Sequence, residues 1–351
     1  MSKAPAHGSH SLVPAMSCLV AAVLFGASTP IAKGLLESVG PFSLAGLLYI
    51  GGAFGVAPFA FRGGSPQLRR VPRQRGMLAL AVFFGGGLGP VLLMFGLRAA
   101  PAASVSLWLN AETVATAILA WGFFREHLDR RTVLATGAVL AGGLLLAAPQ
   151  GAAGWQAGGL VALACICWGL DNNLTALVSG FTPAQTTAIK GIGAGTVNLA
   201  LGVVLEGGLP PLTAALIALA LGAFSYGLSI MLYIAGAQQL GASRSQLIFS
   251  TSPFVGVLLA WFLFGEPAQA VQFGAAAFMA LGVYLMLTAR HEHEHTHEFM
   301  HHTHRHRHDD GHHNHVHPGL PAWIWHTHAH EHEPLTHAHA HAPDLHHRHE
   351  H

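Results

Sequence analysis

Long apolar stretches, separated by short breaks of glycine, proline or charge, fill the chain up to Arg290. A helix that crosses the hydrocarbon core of a bilayer needs about 20 mostly apolar residues, and none of the breaks is long enough for a soluble domain. The pattern predicts an all-α integral membrane protein with ten transmembrane helices, called spans one to ten, at residues 14–36, 42–61, 77–97, 102–124, 132–148, 160–178, 184–205, 212–235, 245–264 and 271–287.

The composition also indicates that the chain lies in a lipid bilayer. Of the 351 residues, 52% are hydrophobic and 9% are charged, against about 25% charged in an ordinary soluble domain. A soluble globule of this size could not cover its surface with so few charges. The formal net charge of +1 also argues against nucleic-acid binding, which needs a basic patch.

The arginines predict the orientation of the spans. Eight arginines follow span two and span four, at Arg62, Arg69, Arg70, Arg73, Arg75, Arg125, Arg130 and Arg131. Because positive residues accumulate in cytoplasmic loops, these even-numbered loops are predicted to be cytoplasmic. With ten spans both termini are then cytoplasmic as well, in a multi-pass protein of the inner (cytoplasmic) membrane.

The chain also repeats itself at an offset of about 140 residues. The matched positions are Trp121 and Glu126 with Trp261 and Glu266, Phe25 and Gly26 with Trp168 and Gly169, and Pro41 with Pro183. Each copy holds five spans, an odd number, so the two copies are predicted to be inverted in the membrane, as in many transporters. The domains predicted are a short N-terminus (1–13), two five-helix repeats (14–148 and 155–288) and a tail (291–351).

These residues resemble the EamA-like proteins of the drug/metabolite transporter superfamily. The resemblance is carried by the first-span sequence from Phe25 to Lys33 and by the stretch from Gly96 to Ser104, and the second copy repeats it from Gly241 through Pro253 to Glu266. It covers about residues 15 to 288. The resemblance implies a ten-helix inverted-repeat secondary transporter with a central cavity, usually an exporter of small organic solutes.

Ionisable groups within the spans are candidates for the transport site, because a charge in the bilayer is costly to keep. Glu112 and Asp171 lie near the middle of spans four and six, and the functional hypothesis is that they face a central water-filled cavity and exchange protons. Ion pairs that only fix helix packing, such as Glu112 with Lys190 or Asp171 with Lys33, are the alternative. The other residues predicted to line the same cavity are Lys33, Trp108, Asn110, Asn172, Lys190 and Ser250.

Glycines are expected to shape the helices around this cavity. The pairs Gly51/Gly55 and Gly191/Gly195 have the small-xxx-small spacing that lets helices approach closely. The run from Gly85 to Pro90 loosens span three, since glycine is flexible and proline removes a backbone hydrogen bond. A bend or break is therefore expected there.

The last 61 residues are of another kind, with histidine at every second position in several runs. Their low apolar content predicts disorder in the absence of metal, and imidazole suits zinc, nickel, cobalt and copper. The candidate metal ligands are His291, His293, His295, His297, His301, His302, His304, His306, His308, His312, His313, His315 and His317.

The sequence therefore predicts a secondary-active exporter of a small organic metabolite or drug-like compound, in which protons are the candidate coupling ion. No cofactor for transport and no enzymatic activity are expected. The alternatives are a nickel, cobalt or zinc exporter fed by the histidine tail, or a membrane-anchored metal sensor or scaffold. The partners expected are the lipid bilayer and a small-molecule substrate, and a homodimer is an assembly that the sequence leaves open.

Overall fold

The computed structural model describes residues 12–61, 72–124, 130–178, 181–240, 245, 248–288, 291–297, 300–306, 326–332 and 335–341. The chain divides into a helical unit, Met1–Ala289, and a second unit, Arg290–His351. Several predictions fall outside the described residues and stay predictions. They concern Arg62, Arg69, Arg70, Arg125, Glu126, His308, His312, His313, His315 and His317.

The described part of the helical unit contains fourteen α-helices. They are α1 Leu12–Gly26, α2 Ser28–Leu35, α3 Pro41–Ala60, α4 Pro72–Ala81, α5 Gly89–Ala99, α6 Ala102–Trp108, α7 Ala111–Phe124, α8 Arg130–Ala147, α9 Gly151–Ala176, α10 Pro183–Leu205, α11 Leu212–Gly222, α12 Ser229–Leu240, α13 Ser252–Phe262 and α14 Ala270–Thr288.

Many of these helices begin where the sequence supplies a start signal. Proline, whose missing N–H is no loss in the first turn, opens α3 and α10. At α10 the Thr182 side chain accepts from the Gln185 backbone N–H, and the Gln185 side chain accepts from the Thr182 N–H, which is a capping box. Gly151 and Gly265 have positive φ values of 59° and 66° beside helix ends, a backbone conformation that glycine adopts without strain.

Two wide turns interrupt predicted spans three and eight. A π-helix, Val82–Leu88, joins α4 to α5, and a second π-helix, Ala223–Leu228, joins α11 to α12. Their first residues are separated by 141 positions, which matches the offset of the sequence repeat. Spans one and four are also interrupted, at Ala27 and at Leu109–Asn110. The structure places a π-helix at the glycine run, where the sequence predicted a bend or break.

Among the described residues, seven helical stretches are long and apolar enough to cross a membrane, and the shorter apolar helices Ser252–Phe262 and Ala270–Leu285 follow them. One of the seven runs over 46 residues, Arg130–Thr175. A short 3-10 turn, Ala148–Gln150, interrupts it. The helix after this turn begins at Gly151, nine residues before the predicted start of span six, because the small uncharged residues there continue the helix.

Glycine sets the closest approaches between helices. A Cβ atom added to Gly51 would collide with the backbone carbonyl of Leu219, and one added to Gly222 would collide with that of Leu48. A Cβ added to Gly191 would meet the carbonyl of Tyr49. Helix α3 therefore packs backbone to backbone against α11 on one side and α10 on another, as small-xxx-small spacing permits.

The tail differs from the predicted disorder in four described segments. They are the strands β1 His291–His297, β2 Met300–His306, β3 His326–His332 and β4 Leu335–His341. Strand β1 pairs with β4 and β2 pairs with β3, both antiparallel. The physical reason is the period of the sequence: alternation of histidine with other residues matches the two-residue period of a strand.

We expect that a chain truncated after Arg290 inserts and folds like the full chain. All the described helices that are long and apolar enough to span a membrane lie in Met1–Ala289, and contacts cluster within that unit and within the tail separately. The check is the thermal unfolding temperature of both proteins in detergent, together with protease protection in membranes. Loss of insertion in the truncated chain would contradict the division into two units.

Candidate functional site

An ion pair joins helix α9 to helix α10 inside the helical unit. Lys190 Nζ lies 2.5 Å from Asp171 Oδ1, and the two side chains are 15% and 10% exposed. Thr175 bridges them, because its hydroxyl donates to Asp171 Oδ1 at 2.9 Å and accepts from Lys190 Nζ at 3.0 Å. Asp171 thus pairs with Lys190, not with Lys33.

Glu112 makes a different contact, in the first turn of helix α7. Its Oε1 accepts a hydrogen bond from Asn172 Nδ2 at 3.1 Å, and the same amide donates to the Thr116 hydroxyl at 3.3 Å. Asn173 donates to the backbone carbonyl of Thr116 at 3.2 Å. Glu112 therefore has a neutral amide as its hydrogen-bond donor, whereas Asp171 has an ammonium group.

The π-helix at 82–88 presents its carbonyls to three neighbouring helices. Tyr49 Oη and Trp168 Nε1 both donate to the carbonyl of Gly85, at 2.5 and 3.0 Å. Asn198 Nδ2 donates to the next two carbonyls, at 3.2 and 3.1 Å. A π-turn breaks the regular i−4 pattern and is frequent at functional sites, and here side chains satisfy the carbonyls that it exposes.

These contacts converge on helix α9. Asp171 packs directly on the π-helix, because a Cβ added to Gly85 would collide with its carboxylate. Asn172, the next residue in sequence, is exposed. An exposed amide bound to a carboxylate would be costly to place against lipid tails.

The other residues predicted for the cavity make separate contacts. Trp108 Nε1 donates to the Gly143 carbonyl at 3.1 Å, on helix α8. Asn110 is buried and donates to the carbonyl of Leu107 at 2.9 Å. Lys33 Nζ donates to the carbonyls of residues 97, 98 and 100, at 2.7, 3.3 and 3.0 Å. Ser250 is half-buried beside the start of α13.

Lys33 belongs to a second set of polar contacts. It lies at the end of the helix bundle that carries the loops after spans one, three, seven and nine. We call this the odd-loop end. By bonding three carbonyls at the end of α5, the ammonium group occupies the place that favours a cation, the negative end of the helix dipole. The structure therefore gives Lys33 a helix-capping contact.

Two carboxylates bridge helix starts at the same end. Glu206 accepts from the backbone N–H groups of Phe42 and Ser43, at 2.8 and 3.1 Å, where α3 begins. Glu266 accepts from those of Ala102 and Ala103, at 2.7 and 2.9 Å, where α6 begins. Charge-assisted bonds at a helix N-terminus are among the stronger hydrogen bonds. We call these two contacts the carboxylate latches.

Aromatic rings form a chain beside the polar cluster, which is the name used here for Glu112, Asp171, Asn172 and Lys190. Tyr49 contacts Tyr226 with ring centroids 5.6 Å apart, and Tyr226 contacts Phe25 at 5.7 Å. Phe25 contacts Phe249 at 5.4 Å, and Phe249 contacts Tyr233 at 4.9 Å. The five rings come from four predicted spans and are all half-buried.

Sequence reasoning missed several of these residues, and the signals available for them were weak. Tyr49 and Asn198 stand in apolar spans and are uncharged, so no local sequence signal marks them, and Trp168 was noted only as a position of the repeat. Glu206 and Glu266 end apolar stretches, where interfacial positions are usual. No group of three His, Cys, Asp or Glu side chains that could hold a metal lies among the side chains that the structure describes.

Together, the apolar helices and the internal repeat define a multi-pass membrane protein. The EamA-like transporter family model matches the chain twice, over residues 13–148 and 157–288. The chain belongs to this family, which confirms the resemblance noted in the sequence.

One similar protein agrees with this family assignment, and one solved structure agrees with the fold. An uncharacterized transporter of Methanothermobacter thermautotrophicus is 25% identical over 294 residues, covering 77% of this chain and 85% of the relative. A solved structure, titled only as the crystal structure of a protein, is 19% identical. It has a TM-score of 0.57 and covers 79% of this chain and 97% of the other. The second likeness supports the fold alone.

Proposed function

We propose that this protein is a secondary-active exporter that moves a small organic solute out of the cytoplasm by alternating access. The observation that carries the proposal is the Glu112–Asn172 contact beside the Asp171–Lys190 pair, on helices of a family of transporters. Charged groups are costly in a membrane and mark substrate and ion pathways. Binding near the interface of two repeats is typical of such transporters.

Ten spans fit the helices better than fewer. The helical run Arg130–Thr175 would be about 69 Å long at 1.5 Å per residue, more than twice the roughly 30 Å of the hydrocarbon core, so it is proposed to cross the membrane twice. The apolar helices Ser252–Phe262 and Ala270–Leu285 supply spans nine and ten. Both termini are then on one side, which the arginine distribution assigns to the cytoplasm.

Glu112 is proposed to carry the coupling proton. Its carboxylate has an amide donor instead of a fixed cation, so it can be ionised or protonated without leaving a lysine unpaired. The exposed Asn172 gives water a route to it. Asp171 and Lys190 carry opposite charges beside the π-helix. A substrate amine could replace the Lys190 ammonium as the partner of Asp171, and a substrate carboxylate could replace Asp171 as the partner of Lys190.

The aromatic chain favours an organic substrate with apolar or aromatic surface. Rings that come from different spans and are half-buried provide a stacking surface whose edges are available. Ring pairs of this kind contribute about 0.5–1.5 kcal/mol beyond area burial. A solute with one charged group and an apolar body would satisfy both the polar cluster and the rings.

The carboxylate latches are proposed to hold the odd-loop end closed. In the predicted orientation this is the non-cytoplasmic end, so the state described would admit substrate from the cytoplasm. Release requires Glu206 and Glu266 to exchange backbone N–H donors for water, an exchange that a polar interface permits.

A comparison of strains tests the proposal. A strain lacking the gene is screened for sensitivity to amino acids, organic dyes, antibiotics and nickel, cobalt and zinc salts. We expect hypersensitivity to one organic class, restored by both the full chain and the chain truncated after Arg290. Sensitivity to metals alone, restored by the full chain but not by the truncated chain, would replace this proposal with a metal exporter.

The ion pair makes a separate prediction. Asp171→Asn should lower thermal stability, because an uncompensated ammonium group remains at Lys190 and such losses cost on the order of 3–5 kcal/mol. The double variant Asp171→Asn with Lys190→Gln should recover most of the stability but not the transport. Stability is measured by thermal unfolding in detergent and transport by efflux of the restored compound. If the double variant transports the compound as fast as the parent does, the ion pair has a structural role only.

A further inference from the structure

Histidine is paired with histidine across both sheets of the tail. In the sheet of β1 and β4, the Cα partners are His291 with His341, His293 with His339, and His295 with His337. In the sheet of β2 and β3, they are His302 with His330, His304 with His328, and His306 with His326. Six cross-strand pairs therefore join segments that are separated by 20 to 50 residues in sequence.

This register places the paired histidines of each sheet on one face. Successive residues of a strand alternate between faces, and the pairs recur at every second position. The positions between them in the first sheet pair Glu292 with Ala340 and Glu294 with Ala338. A shift of one residue would bring histidine opposite the acidic or small residues, so the histidine rows depend on the register.

The spacing within a row suits a transition metal. Opposite residues of an antiparallel pair have Cβ atoms about 4.5–5.5 Å apart, and successive rows on one face follow at about 6.8 Å. Imidazole nitrogens bind zinc at about 2.0–2.1 Å, usually with four ligands. One cross-strand pair can therefore supply two ligands to an ion, and the next row can supply two more.

Stability gives an independent reason for a ligand. A two-stranded sheet is marginal in water without further support, and each sheet here has two strands of seven residues. A metal held across the strands would stabilise the paired state, because binding to a site that exists only when folded adds its free energy to folding.

We infer that each sheet of the tail binds a divalent transition-metal ion, with the cross-strand histidine pairs as ligands. The first site is formed by the histidine pairs of β1 and β4, and the second by the histidine pairs of β2 and β3. Nitrogen ligands select zinc, nickel, cobalt or copper over magnesium and calcium. Metal binding at these two sites is separate from the proposed transport of an organic solute and does not depend on it.

A swap that keeps the composition tests the register. In one variant His293→Glu is combined with Glu294→His, and in a second His304→Arg is combined with Arg305→His. Each variant keeps all 27 histidines but moves one histidine to the other face. The control replaces His346 and His347, outside the four strands, by Gln. All proteins are full-length, carry no added histidine tag, and are purified in detergent.

Zinc alone is the probe, measured by equilibrium dialysis and metal analysis at pH 7.5. We expect the parent and the control to bind two zinc ions tightly. Each swap should weaken the binding of one of these ions by at least about tenfold. Excess magnesium should not displace zinc. Hydrogen exchange should show zinc-dependent protection of 291–297 and 335–341 in the parent, and less in the first swap.

Each outcome decides the inference. If both swaps bind zinc like the parent, affinity follows histidine number and the cross-strand sites do not exist. Zinc binding without protection of the strands would also overturn it. The thermal unfolding temperature of the helical unit should be equal in all variants, which separates a local change in the tail from misfolding.

Discussion

Glu112→Gln is expected to lower transport of the exported solute by at least about tenfold while the protein stays inserted and folded. Glutamine keeps the size of the side chain, and its carbonyl can still accept from Asn172, so packing should survive. The titratable group is lost, and with it the proton that Glu112 is proposed to carry. Efflux from everted vesicles with and without an imposed pH gradient measures the effect.

The matched control is Glu37→Gln. Glu37 is an exposed carboxylate just after helix α2, so the same chemical change is made away from the polar cluster. Transport by this variant should equal that of the parent. If Glu112→Gln also transports normally and still responds to the pH gradient, Glu112 is not the coupling group and the proposed mechanism is wrong.

Gly51→Ala should cause a clear loss of stability through a single added methyl group. The added Cβ would meet the backbone carbonyl of Leu219, with its carbonyl carbon at 2.9 Å. Backbone atoms cannot rotate away as a flexible side chain can, so helices α3 and α11 must separate. Overpacking of this kind costs on the order of 1–3 kcal/mol. We expect a melting temperature in detergent that is lower by about 5 °C.

Gly137→Ala is the control for that prediction. Gly137 lies in helix α8, and an added Cβ would meet no atom within 4 Å. Because alanine favours a helix over glycine by about 1 kcal/mol, this variant should be neutral or slightly stabilised. Equal melting temperatures for Gly51→Ala and Gly137→Ala would show that the α3–α11 crossing tolerates expansion.

The sequence predicted the class of the protein because its signal is local. Apolar stretches of sufficient length lie within single segments, and the family motifs from Phe25 to Lys33 and from Gly96 to Ser104 are contiguous. The family match over both repeats confirmed the resemblance. Charged residues in the spans were equally visible, which is why Glu112 and Asp171 could be selected as candidates.

The partners of those charges could not be read in the same way. Lys190 and Lys33 are both lysines in apolar spans, yet one meets Asp171 and the other caps the end of α5. Trp108 and Asn110 are within four residues of Glu112 but contact different groups. The break at Leu109–Asn110 places Trp108 and Glu112 in separate helices, so their spacing in the sequence does not give their neighbours.

The carboxylate latches and the π-helix contacts depend on packing between distant segments. Glu206 and Glu266 reach backbone groups more than 160 residues away, and Asn198 reaches the π-helix from 111 and 112 residues away. Hydrophobicity and spacing act within a segment and therefore specify the spans and their repetition. The identity of each contact across the bundle follows from helix crossings at glycines such as Gly51 and Gly222, which bring particular backbone and side-chain groups together only in the packed structure.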